Sequence, residues 1–209
     1  MRRIRPSSNT ATNPVAISKA PPPSAPWPRA FENVAWIATA TRDGQISRFE
    51  IIPIDDEAGA LRAFCRLVGG GDGAGGPVAA LIHRLVAAFV ARDWDRVEAC
   101  FAPDLTAVDH RRVSALAVDL AGGEGIVERT RGLVALAADT HPSAEVLGEL
   151  DGIVMVHISW SGHLDDGGGP FELDWRGVIM ARDGVIVRYE LFDPDDTAGM
   201  LAAVAQLRQ

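Results

Sequence analysis

Shifted against itself by 140 residues, the chain aligns residues 31–67 with residues 171–207, and fifteen of the 37 aligned positions carry the same amino acid. The matches include Phe31-Glu32 with Phe171-Glu172, Arg42-Asp43-Gly44 with Arg182-Asp183-Gly184, Arg48 and Glu50 with Arg188 and Glu190, and Asp55-Asp56 with Asp195-Asp196. Self-similarity at a fixed offset marks an internal repeat, but this period is too long for a solenoid unit and equals the length of a small domain. The chain is therefore expected to hold one complete domain at 78–209. Ahead of it, at 30–68, stands a truncated copy that keeps only the last hairpin and the C-terminal helix. Residues 69–77, Gly-Gly-Gly-Asp-Gly-Ala-Gly-Gly-Pro, read as a flexible linker between the two. Residues 1–29 are rich in Pro, Ser, Ala and Thr and are expected to form a disordered or extended arm.

Within the complete copy, Leu81, Ile82, Leu85, Val86, Ala88 and Phe89 recur at helical spacing and predict a helix over 79–91, with a second short helix running to about Phe101. Pro103-Asp104 turns the chain into a strand near 105–111. A further helix over 124–138 presents Ile126, Val127, Leu133, Val134 and Ala137 as one stripe, and His141-Pro142 ends it. Strands over 144–150, 153–164, 171–180 and 185–192, separated by Asp/Gly-rich turns, form an antiparallel meander. Asp193-Pro194-Asp195 then leads into a last helix over 197–207. Helices grouped ahead of a run of strands define an α+β fold: a curved antiparallel sheet wraps the helices into a cone with a pocket at its open end.

Composition removes several classes of partner. The formal net charge of −8 supplies no basic footprint for nucleic acid or an anionic membrane. No stretch of about 18 apolar residues occurs, which excludes a membrane-spanning helix from the expectation. Cys65 and Cys100 have neither framework nor zinc-ligand spacing, so no disulfide, metal or cofactor is expected. The chain reads as cytoplasmic. Lys19 is the only lysine among many arginines, a bias of GC-rich bacterial genomes.

At Ala88-Phe89-Val90-Ala91-Arg92-Asp93-Trp94-Asp95, at Phe101-Ala102-Pro103-Asp104-Leu105, in the helix after Gly122 and in the final Asp-Gly hairpin, the chain resembles the SnoaL-like proteins of the nuclear transport factor 2-like superfamily. Its ending, Arg188-Tyr189-Glu190-Leu191-Phe192-Asp193-Pro194-Asp195-Asp196, is similar to tandem SnoaL-like units at the C-terminal ends of large actinobacterial regulators. The resemblance implies the cone fold. It leaves function open between a non-catalytic module, binding a small apolar ligand or a protein and accessory to a regulator, and a cofactor-free cyclase, hydratase or isomerase. It also implies association through the sheet, either as a homodimer or as a pseudo-dimer with residues 31–67.

The candidate catalytic residues are Asp109 and His157. Asp109 falls where the related isomerases carry their proton-abstracting carboxylate; alternatively Asp109, His110, Arg111 and Arg112 are charges at the rim of the cone. Those isomerases carry an oxyanion-donating tyrosine where this chain has Leu85, and the single tyrosine, Tyr189, stands on the last strand, which argues against isomerase chemistry. The strand over 153–164 alternates a core face of Val154, Val156, Ile158 and Trp160 with a face of Met155, His157, Ser159, Ser161 and His163, so His157 lines a polar pocket or faces out. His157 and His163, roughly 20 Å apart on an extended strand, cannot share a metal ion. His110, Trp160 and Trp175 are the candidate ligand contacts. Because the truncated copy lacks pocket-enclosing helices, the recurring Arg48/Glu50 and Arg188/Glu190 pairs read as structural ion pairs. The recurring Asp-Asp pairs read as helix N-terminal charges.

Overall fold

The computed structural model describes residues 15–19, 35–42, 45–69, 75–112, 122–165 and 167–209. It divides into two compact units, Met1–Gly70 and Gly71–Gln209. Phe31, Glu32, Asp43, Gly44, most of the expected arm and most of the linker lie outside the described residues.

The first unit holds three antiparallel strands, β1 (Val15–Lys19), β2 (Ala35–Arg42) and β3 (Gln45–Pro53), in that order, followed by helix α1 (Glu57–Gly69). β1 takes up residues 15–19 of the expected arm. It precedes the prolines at 21–23 and carries β-branched Val15 and Ile17, so nothing prevents it from pairing with β2. Ala38, Ile52, Ala60 and Ala63 form a small core with Trp36 and Leu67 packed against it. Glu50 accepts from Arg66 at 2.7 Å and lies 3.7 Å from Arg48.

The second unit contains α2 (Pro77–Ala91), α3 (Trp94–Glu98), β4 (Phe101–Asp109), α4 (Gly122–Leu136), β5 (His141–Leu150), β6 (Ile153–His163), β7 (Pro170–Arg182), β8 (Val185–Phe192) and α5 (Thr197–Leu207). The sheet order is β4-β8-β7-β6-β5. β5 to β8 form the expected meander, but β4 pairs with β8 in parallel, so the sheet is mixed rather than antiparallel. β4 also starts earlier than expected: its register shifts between Phe101 and Thr106, and Pro103, which cannot donate to a ladder, sits in that interruption. Pro142 is tolerated inside β5 because β5 is an edge strand.

In β1–β2, Val15 faces Ala40 and Lys19 faces Trp36; in β6–β7, Ile153 faces Met180 and His157 faces Arg176. The β2–β3 ladder shifts register at Ala40/Thr41 and the β7–β8 ladder at Met180/Ala181. Asp56 and Asp196 each accept from the backbone N–H three residues on, at Gly59 (2.7 Å) and Gly199 (2.8 Å). Each carboxylate thus satisfies an orphan donor in the first helical turn.

Helix α2 buries Val78, Leu81, Ile82, Leu85 and Phe89, the stripe that its 3.6-residue period places on one side. Phe89 sits edge-on to Trp160 at 5.6 Å and to Trp94 at 6.4 Å. α2 has no side-chain cap of its own; Glu149, near the end of β5, accepts instead from the N–H groups of Val78 (3.1 Å) and Ala79 (2.8 Å). At the other end, Arg92 turns into the left-handed region (φ 58°) and donates to the Thr140 carbonyl at 2.6 Å. A Glu149→Ala variant should lose about 1 kcal/mol, the usual worth of a cap strengthened by charge. Thermal denaturation would read this as a melting temperature a few degrees lower. An unchanged midpoint would show that water caps α2 equally well.

Candidate functional site

A cavity of about 500 Å³ opens between α2, α4 and the inner face of the sheet. Its walls are set by the pleat. In register across the sheet, Ala144, Ile158 and Trp175 share one face, as do Pro142, Trp160 and Leu173. Trp160 and Trp175, two of the three candidate ligand contacts, both line the cavity. Helix α2 adds Ile82, Leu85, Val86 and Phe89, and α4 adds Ile126, Arg129, Thr130 and Leu133.

The polar edge of the cavity is built from β4, β8 and α4. Asp109 stands beside Leu191 in the parallel ladder, on the cavity side of the sheet. Its carboxylate is clamped by Arg111: Oδ1 accepts from the backbone N–H (3.1 Å) and Nε (2.8 Å), and Oδ2 from Nη2 (2.7 Å). That hydrogen bond, and then the Asp109 charge, raise the Arg111 guanidinium above its ordinary value. Arg111 also lies 5.6 Å over the Trp175 ring and lines the cavity. Tyr189 accepts from Trp175 Nε1 at 2.7 Å, and burial pushes its hydroxyl up to about 12, so it remains a neutral donor in ordinary solution. Arg129 is pulled down from its ordinary value by burial and by the neighbouring Arg111 charge; an arginine nevertheless stays a cation in a protein.

Asp109 and His157 are not brought together. Across the ladders, His157 faces Arg176, which faces Phe192, while Asp109 faces Leu191, so the two candidates occupy opposite faces of the sheet. On the outer face, His157 Nε2 meets Asp174 Oδ1 at 2.8 Å, with roughly a third of each side chain exposed. His110 also leaves the cavity: it stacks on Phe192 at 4.6 Å and its Nε2 meets Glu190 Oε2 at 2.8 Å. Glu190 accepts from Arg188 Nε at 2.6 Å through its other oxygen and is buried where α5 packs on β6, β7 and β8. Burial works to raise the Glu190 carboxyl, but the hydrogen bonds from Arg188 and His110 hold it below the usual range. The Arg/Glu pair is therefore an ion pair outside the cavity.

Leu85, at the position where the related isomerases carry a tyrosine, lines the cavity, and so does Tyr189 on β8. Arg129 went unnoticed in the sequence because a charge on a helix reads as a solvated face. Its spacing carried the signal: three residues after Ile126 and four before Leu133, it falls on the buried stripe. Among the described residues no group of three His, Cys, Asp or Glu side chains could hold a metal ion, and no helix is long and apolar enough to cross a membrane.

Among solved structures, the chain is similar to the protein Bal32a from a soil-derived mobile gene cassette, at 19% identity and a TM-score of 0.50, over 57% of this chain and 90% of that one. It is similar also to a nuclear transport factor 2-like protein of unknown function from Burkholderia pseudomallei (19% identity, TM-score 0.48, 61% and 97% covered). A hypothetical protein of ketosteroid isomerase-like fold from Catenulispora acidiphila, solved in complex with trimethylamine, matches at 18% identity and a TM-score of 0.44, with 57% and 90% covered. At such identities the likeness is one of fold. No curated protein matches the chain. The family model of the SnoaL-like domain matches residues 82–189, from the middle of α2 through Tyr189 and over more than half of the chain, and this protein belongs to the SnoaL-like domain family.

Proposed function

We propose that this SnoaL-like domain is a binding module that takes up a small, largely apolar molecule in its cone without transforming it. The cavity carries the reading: about 500 Å³ is the size of ordinary ligand sites, and apolar and aromatic side chains make up most of its wall. Among the described residues, the catalytic alternative has no unengaged Asp, Glu or His at that wall. Both oxygens of Asp109 are engaged by Arg111, and His157 lies on the other face of the sheet.

The test uses the full chain and a neutral, environment-sensitive dye, N-phenylnaphthylamine. Its emission is expected to rise on binding, while the emission of Trp160 and Trp175, both in the wall, is quenched. A Leu133→Trp variant, which fills the cavity from α4, should weaken uptake about tenfold or more, the equivalent of about 1.4 kcal/mol. Failure of the wild-type chain to take up the dye, or equal uptake by the filled variant, would sink the reading.

A cyclase, hydratase or isomerase is the competing reading, and it draws on one observation. The Tyr189 hydroxyl and the Arg129 guanidinium, both in the wall, could stabilise an oxyanion as it forms. That chemistry requires Asp109 to release Arg111 and act as base.

A further inference from the structure

The cavity wall holds a cation, Arg129, that makes no close ion pair among the described residues, the Asp109 charge acting on it only from farther off. Among the described lining residues the charged ones are Arg111 and Arg129, with no Asp or Glu among them. The Arg111 fork is committed to Asp109. Arg129, partly buried on α4, has no carboxylate within ion-pair distance among the described residues. A cation held against an apolar wall costs free energy unless something compensates it. Nor is this charge a by-product of composition, because the chain as a whole is acidic at −8. Beside it, Tyr189 accepts from Trp175 and keeps its own O–H to donate; a hydroxyl that already accepts is the better donor for it.

We propose that the cavity selects a flat, apolar molecule bearing one carboxylate or similarly delocalised oxyanion, gripped by Arg129 and the Tyr189 hydroxyl, with its body against Trp160 and Trp175. This rests on the binding reading above and names the chemistry of the ligand. A carboxylate matches the planar guanidinium fork two bonds at a time, and such charge-assisted pairs are about twice as strong as neutral ones. Arg111, fixed over Trp175, has its charge largely balanced by Asp109, so Arg129 supplies the main positive charge at this wall. Indole rings supply flat contact area that an aromatic or fused-ring body can fill.

Calorimetric titration of the full chain with naphthoate and with naphthamide tests the inference, because the two share a ring system and differ in charge. Naphthoate is expected to bind about tenfold tighter or better, in line with hydrogen bonds to charged groups. An Arg129→Met variant should lose that preference and keep its affinity for naphthamide. Tyr189→Phe, which retains the ring, should weaken naphthoate a few-fold. If the methionine variant does not fold, Arg129→Lys should retain a reduced preference, since charge without the fork gives only part of the grip. Equal binding of the two compounds, or a preference that survives Arg129→Met, overturns the inference. Dye uptake without any preference for naphthoate overturns the ligand class alone; no uptake of dye, naphthoate or naphthamide overturns the binding reading with it.

Discussion

A Phe89→Ala variant is expected to lose about 3–5 kcal/mol of unfolding free energy, the cost of deleting a large buried aromatic. Phe89 is 7% exposed, and its ring joins α2 to the sheet through Trp160 and to α3 through Trp94. Two edge-to-face pairs are lost together, each worth about 0.5–1.5 kcal/mol beyond the area buried. The site is also poorly placed to recover by collapse. Phe89 already borders the cavity of about 500 Å³, so the vacated volume joins a larger space instead of closing. Against the usual 5–15 kcal/mol of total stability, such a loss would leave a marginal domain. Urea denaturation followed by tryptophan emission measures it, with Phe89→Leu as a milder control. A loss under about 1 kcal/mol would mean that α2 is held to the sheet by something other than this cluster.

The second large effect separates the two functional readings. Replacing Asp109 by asparagine removes the charge that holds Arg111, whose side chain is 11% exposed against 19% for Asp109 itself. Breaking one side of a buried pair leaves the other charge uncompensated, and the expected cost here is about 2–4 kcal/mol. The released guanidinium then stands beside Arg129 at the cavity edge. Naphthoate should therefore bind the variant more tightly, even as its melting temperature falls. If Asp109 were instead a catalytic base with Arg111 only an occasional partner, the variant would melt like the wild type and gain no affinity for the anion. Thermal denaturation and calorimetry on the same preparation distinguish the outcomes.

The C-terminal part of the fold was legible in the sequence almost residue by residue, because its signals are local. Asp183 and Gly184 adopt positive φ in the β7–β8 turn, as turn chemistry suggested, and α5 is capped by Asp196, one residue beyond the Asp193-Pro194-Asp195 stretch that the sequence pointed to. The start of β4 was not legible, since Pro103 resembles a turn residue and its place in a ladder interruption depends on β8, far along the chain. Parallel pairing leaves no mark in the alternation of a single strand, so a mixed sheet was read as antiparallel. At the site, alternation along β6 separated the Trp160 face from the His157 face but did not say which residues of other strands joined each. The grouping of Asp109, Arg111, Tyr189 and Arg129 depends on three elements meeting. Asp109 was named as a candidate from the sequence and Arg129 was not, although its stripe position on α4 was there to be read.

The parallel docking of β4 on β8 also bears on the order in which the domain is assembled. β5 to β8 join neighbours in sequence through short turns, whereas β4 must wait for β8, whose first residue follows the last of β4 by 76 positions. Non-local pairing of this kind is the slow part of folding, since the entropy of closing the loop is lost before any contact returns it. The meander can thus form while the cavity edge does not yet exist, and Asp109 and Arg111 reach Tyr189 only with the closing strand. A bound anion would act on that last step, slowing the release of β4 and leaving the early hairpins untouched.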